Sequence, residues 1–327
     1  MKFQTARRWL ASAMLATSCA ALVAPTSTHA QSDKLTRFIL PVAAGSGVDT
    51  IMRASQKALS ASLGTAVVID NQPGAGGIVG TQTLVKAAPD GATLSVVSNN
   101  HVIYPSVYKT LPFDPIRDIT PIAVIGGSPM VLVVNPKLPA RDAKELVALL
   151  KAKPDTLNYA SSGNGTILHL AAEMFLDEAG VKAKHIPYKG VGPMITDLIG
   201  GQVDFGVLAL PAIQAHLKSG ALRAIGTSSK TRLAAAPEIP TFAEQGLPGY
   251  LVEGWFAVIG PKGLPAAEVK RINAAFASAF ATADVKDAMA KQGNPINVTT
   301  PEAAAAFFVS EMDKYARLVK RAGVKLD

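Results

Sequence analysis

The chain has 327 residues, about half of them apolar, and a formal charge of +8 at pH 7. Its basic residues fall in short doublets such as Lys320-Arg321, so the long basic run of a nucleic-acid binder is excluded and only a mild attraction for anions remains. The length exceeds what one hydrophobic core usually supports, and two domains are expected.

Lys2, Arg7 and Arg8 lead into an almost uncharged apolar run from Trp9 to Ala24, and Thr28-His29-Ala30 closes it with small-x-small spacing. This order describes a secretory signal cleaved after Ala30, with a run shorter than a membrane span requires. Cleavage removes Cys19, the only cysteine, so the mature chain has no disulfide, thiolate nucleophile or thiolate metal site. It also lowers the formal charge to +5. No later stretch is apolar enough to span a bilayer, and a soluble periplasmic protein is expected.

From residue 34 onward, β-rich runs alternate with amphipathic stretches. Strands are predicted at Phe38–Val42, Val67–Ile69 and Leu94–Val97, with helices over Val48–Leu63 and from Val79 to Ala87. The middle of the chain repeats the scheme, with strands at Met130–Val134, Asn158–Ala160, His185–Ile186, Val203–Val207 and Arg223–Thr227. Helices over Ala143–Lys151 and Ile167–Glu178 lie among them. A strand at Gly254–Ile259 and helices opening at Pro265 and Pro301 complete the pattern. Strands separated by helices of 10–15 residues predict an α/β fold with βαβ units and a largely parallel sheet. The segments Ile122–Asn135 and Leu251–Gly260 read as two crossings between lobes, which would form a hinge with a cleft beside it.

Three glycine-rich turns each follow a strand and precede a helix: residues 44–49 (AGSGVD), 72–77 (QPGAGG) and 161–166 (SSGNGT). Glycine admits a left-handed backbone and close approach of a ligand, and the following helix presents unpaired N–H groups and the positive end of its dipole. Three such turns in one chain point to anion binding. None continues as Gly-Lys-Ser/Thr, and none has the full dinucleotide fingerprint, so carboxylate is the expected anion. No G-x-S-x-G elbow, H-E-x-x-H or closely spaced metal-ligand set is present. Of the histidines after the signal, His169 follows the third turn, where it either bonds the ligand or holds the loop. Asp49 and Arg53, one helical turn apart, read as a structural ion pair.

These turns lie within longer motifs: PVAAGSGVDTIMR (41–53), VIDNQPGAGGIVG (68–80), AAPDGATL (87–94), LPFDPIRDITPIA, YASSGNGTILHLAAE, HIPYKGVGPMITDLIGGQVD and PEIPTFAEQGLPGY, followed by Trp255. In that order the sequence resembles the Bug family, the extracytoplasmic solute receptors of tripartite tricarboxylate transporters, over essentially the whole mature chain. The resemblance implies a type II periplasmic-binding-protein fold, two α/β lobes joined by two crossing strands with a ligand cleft between them. Residues 31–128 with 254–327 would form lobe I and residues 129–253 lobe II. It further implies that a ligand carboxylate is held by Gly45, Ser46, Gly47 and Val48, with Ala75, Gly76 and Gly77 nearby. From the second lobe it implies Ser161, Ser162, Gly163, Asn164, Gly165 and Thr166. Ser98 and Asn99 follow a strand end where members often carry pocket polar groups.

The sequence departs from the family pattern at two places. Leu208 and Ala209 stand where many members carry Asp and Asn, so a buried ammonium would lack a partner and a non-amino aromatic or aliphatic mono- or dicarboxylate is expected. Ser46 interrupts the usual glycine run and offers a hydroxyl. The expected protein is a monomeric receptor, not an enzyme, with no cofactor or metal, whose partners are a small carboxylate and the membrane subunits of a tripartite transporter. A sensor for a membrane signalling partner and a secreted carboxylate-processing hydrolase are the competing readings.

Overall fold

The computed structural model describes residues 35–154 and 156–322; the expected export signal, with Cys19, lies outside them. Among the described residues no helix is long and apolar enough to cross a membrane. The chain order begins β1 (Leu35–Leu40), α1 (Gly47–Leu63), β2 (Ala66–Asn71), a 3-10 turn at Ala75–Gly77, α2 (Ile78–Val85), β3 (Thr93–Ser98) and α3 (Asn100–Val107). It continues with β4 (Ile119–Val134), α4 (Ala143–Ala152), β5 (Asn158–Ser161), α5 (Ile167–Ala179), β6 (Lys184–Pro187), α6 (Val191–Gly200), β7 (Phe205–Ala209), α7 (Leu210–Lys218) and β8 (Arg223–Thr227). It closes with β9 (Glu253–Pro261), α8 (Ala266–Ala281), α9 (Ala283–Gln292) and α10 (Pro301–Ala322).

The strands form one curled path, β2-β1-β3-β9-β4-β7-β5-β6, with β8 also pairing β4. β1 pairs in parallel with β2 and β3, and β5 with β6 and β7, as βαβ units require. The long strands behave otherwise. β9 runs antiparallel to β3 and β4, and β4 antiparallel to β7 and β8. The expectation of a largely parallel sheet is therefore corrected to a mixed one. The reason is that β4 and β9 cross between the two parallel groups and pair with each other from Ile119↔Pro261 to Pro129↔Glu253. Beyond Pro129, β4 changes partners and pairs with β7 and β8. β1 stops at Leu40, short of the predicted Val42, because Pro41 has no N–H to offer a ladder.

Two apolar cores lie on this sheet. One gathers Phe38, Ile51, Met52, Val96, Ile122 and Val258 with Ile272 and Phe276 of α8. The other joins Leu132, Tyr159, Phe175, Phe205 and Phe242 to Phe308 and Tyr315 of α10. α10 also grips β9 and the end of β3: Trp255 Nε1 donates to Glu311 Oε2 at 2.8 Å, and Tyr315 Oη lies 2.6 Å from Asn99 Nδ2.

Candidate functional site: an anion cradle at converging helix ends

The turn before α1 is held by its own side chains. Ser46 is the N-cap, its Oγ accepting from Asp49 N–H at 3.4 Å. Asp49 Oδ2 accepts from Gly45 N–H at 2.9 Å and from Arg53 Nε at 3.0 Å. Burial pushes the Asp49 carboxyl up, but its bonds to Arg53, Gly45 and Asn71 outweigh that and leave it below the usual carboxylate range.

The turn before α5 has the same outline. Thr166 is the N-cap and accepts from His169 N–H at 3.4 Å, while His169 Nδ1 accepts from Gly165 N–H at 3.1 Å. The His169 ring stacks on His185 at 3.8 Å between centroids, and Tyr159 stacks on His185 in turn. Burial, and secondarily His185, lowers His169 to about 3, and burial lowers His185 to about 4, so both rings are neutral near pH 7. Ser161 Oγ lies 2.7 Å from His185 Nε2, which has the outline of a nucleophile beside a base. Ser161 is fully buried, however, and its hydroxyl also bonds the Gly163 backbone within the turn, so it presents no face to a substrate.

Between these turns lies an inner chamber of about 70 Å³ that leads to an outer cavity of about 520 Å³. Ser46, Asn100, Ser162, Val42 and Val191 line both. The chamber wall includes the first residues of α1 (Gly47, Val48), α5 (Ile167, Leu168) and α6 (Val191), and Ala209 and Ala212 at the start of α7. α6 and α7 begin with no side-chain cap, and α5, α6 and α7 have no acidic residue in the first turn. Four positive helix ends, with the start of α3 at Asn100 beside them, thus converge on a chamber whose lining contains no carboxylate, and Asp49, which follows Val48 on α1, is balanced by Arg53. The rest of the wall mixes neutral polar residues, Ser98, Asn99, Asn100 and Ser162 among them, with apolar ones such as Met130 and Phe256.

Of the residues expected from sequence, Ser46, Gly47, Val48, Ser98, Asn99, Ser162 and Ala209 line the inner chamber. Ala75, Gly76, Gly77, Ser162, Gly163, Asn164 and Thr166 line the outer cavity. Gly45, Ser161, Gly165, His169 and Leu208 line neither. Gly45, Gly165 and His169 hold the turns from behind. The expected Leu208-Ala209 wall is corrected to Ala209 alone: successive strand residues face opposite sides of the sheet, and Leu208 is fully buried in the core. Asn99 also differs from expectation. Its amide accepts from Trp255 N–H at 3.0 Å and donates to Glu253 O at 3.1 Å, so the side chain ties β9 rather than a ligand.

Sequence reasoning missed Asn100, Tyr108 and the Tyr188–Val191 segment. The last carried a readable signal, because Gly190-Val191-Gly192 is a fourth glycine turn between a strand and a helix, with Gly190 at φ 113°.

The chain matches the model of the tripartite tricarboxylate transporter family receptor over residues 51–324. It belongs to that family. The protein BugT of Bordetella pertussis is 34% identical over 309 residues, covering 94% of this chain and 95% of BugT. The structure of the periplasmic binding protein BugD superposes with a TM-score of 0.85 at 30% identity, covering 89% of this chain and 99% of BugD. A protein of R. palustris, solved with adipate, superposes with a TM-score of 0.86 at 29% identity, covering 89% of this chain and 98% of the other. The fold is accordingly that of the periplasmic binding proteins of this receptor type.

Proposed function

We propose that this receptor works in the periplasm, captures a small carboxylate without an amino group, and passes it to the membrane subunits of a tripartite transporter. The observation that carries the reading is the convergence of four helix N-termini on a chamber lined by no acidic side chain. A carboxylate there accepts backbone N–H bonds worth roughly 1.5–3 kcal/mol each when charge-assisted. An ammonium would meet the positive ends of dipoles and find no anionic partner, since Ala209 offers only a methyl group. The adipate carried by the R. palustris relative agrees with this class of ligand.

Residues 31–128 with 254–327, and residues 129–253, act as two lobes turning about β4 and β9. A ligand touching both lobes favours the closed arrangement, and the transporter reads that arrangement. A thermal-shift screen of mono- and dicarboxylates, with aspartate and glutamate as the contrast set, tests the proposal. A rise in melting temperature is expected with non-amino acids and not with the amino acids. Aspartate or glutamate as the best ligand would overturn the non-amino reading, and silence from every acid would remove carboxylate altogether. Ala209→Leu, whose side chain points at Gly47, is expected to abolish the shift by filling the chamber.

A further inference from the structure

We propose that Asn100 is the crosspiece that holds the two sides of the site together. Asn100 opens α3 just beyond β3 and is 8% exposed. Its Oδ1 accepts from the N–H of Ile167, the first residue of α5, at 2.7 Å, and its Nδ2 donates to Gly76 O at 3.1 Å. The partners fix the orientation of the amide, because a backbone N–H only donates and a carbonyl only accepts. The Gly76 carbonyl is itself braced by the Tyr104 hydroxyl at 3.1 Å. One short side chain therefore links the 72–77 turn to the start of α5, and it stands where the inner chamber meets the outer cavity.

Two consequences follow from the chemistry of the amide. The first N–H of α5 is already occupied by a neutral acceptor, so it is not available to an incoming carboxylate while that bond is made. The bond also joins elements on opposite sides of the two crossing strands, so it must break when the site opens. Aspartate at this position would keep the acceptor for Ile167 but lose the donor for Gly76 O and place a charge between the cavities. The inference rests on the reading of two lobes that close.

Small-angle X-ray scattering of the purified ligand-free protein tests it, with Asn100→Ala, Asn100→Asp and Ile167→Pro. The proline variant deletes the donor N–H at the first helical position, where proline is well accommodated. Thr166 before it (φ −78°, ψ 163°) already has the extended backbone that a residue preceding proline adopts. Asn100→Ala and Ile167→Pro are each expected to show a larger radius of gyration than the wild type, and Asn100→Asp, which keeps the acceptor for Ile167, a wild-type radius. The double variant Asn100→Ala/Ile167→Pro is expected to be no larger than either single one, because both remove the same bond. A wild-type radius in Asn100→Ala, even with a lowered melting point, would reduce Asn100 to a stability role and overturn the proposal. So would an additive expansion in the double variant. If Asn100→Ala and Ile167→Pro expand while no acid shifts the wild-type melting point, the receptor reading fails and the crosspiece stands.

Discussion

In the turn before α1, a serine caps the helix and the residue three positions on, Asp49, reaches back to the amide of Gly45. In the turn before α5, a threonine caps the helix and the residue three positions on, His169, reaches back to the amide of Gly165. The two are variants of a capping box shifted by one residue, since the returning side chain takes the amide before the cap. They differ in charge. Asp49 is an anion balanced by Arg53, while His169 is a neutral ring stacked on His185. The backbone requires only an acceptor of the right reach. What it cannot accommodate beside an anion site is an unbalanced negative charge, and each turn avoids one by a different route.

Removing the acceptor is expected to hurt the neutral turn more. His169→Ala leaves the Gly165 amide without its acceptor and empties a stacked, buried position, a loss of about 3 kcal/mol in urea unfolding. Asp49→Ala leaves the Gly45 amide without its acceptor, but the half-exposed Arg53 rehydrates, so about 2 kcal/mol is expected. Equal losses would mean that ring packing contributes nothing.

The turns also separate along the pH axis. His169 has a folded value near 3, below its ordinary one, so its contribution is complete above the unfolded value near 6.5 and is lost as pH falls from there toward 3. The slope reaches at most about 1.4 kcal/mol per pH unit for one histidine. Asp49, also lowered, loses its contribution only as pH falls below the ordinary carboxylate value of 3.8. Between pH 6.5 and 4, His169→Gln is expected to remove one histidine's share of the acid loss, and Asp49→Asn none of it. The shares of His185 and His101, both lowered to about 4 by burial, remain in either variant. The smallest effect is in the caps, where Ser46→Ala and Thr166→Ala should each lose about 1 kcal/mol, alike in both turns, if the shared plan is correct.

What could be read from sequence follows from the range of the interactions. The glycine turns, their caps and most strands are local features, and Arg223–Thr227 was placed to the residue. The Asp49–Arg53 pair was legible for the same reason. The pairing of β4 with β9 joins residues more than a hundred positions apart, and nothing local announces its antiparallel sense. The His169–His185 stack likewise depends on β5, β6 and α5 packing together. At Ser98-Asn99-Asn100 the error was one residue: Asn99 turns back to Trp255 while Asn100 faces the site, and only the start of α3 decides between them. Leu208 and Ala209 were separated by strand parity in the same way, once β7 proved to run from Phe205 to Ala209.

The central place of β9 affects how the molecule is made. Its neighbours β3 and β4 are synthesised long before it, and the gap between them stays open until residue 253 and beyond has emerged. Closing that gap requires contacts of very large sequence separation, which form slowly. Helix α10, which clasps Trp255 and Asn99, comes later still. The sheet is therefore completed only by β9, its last strand in chain order. Until it joins, no strand links β3 to β4.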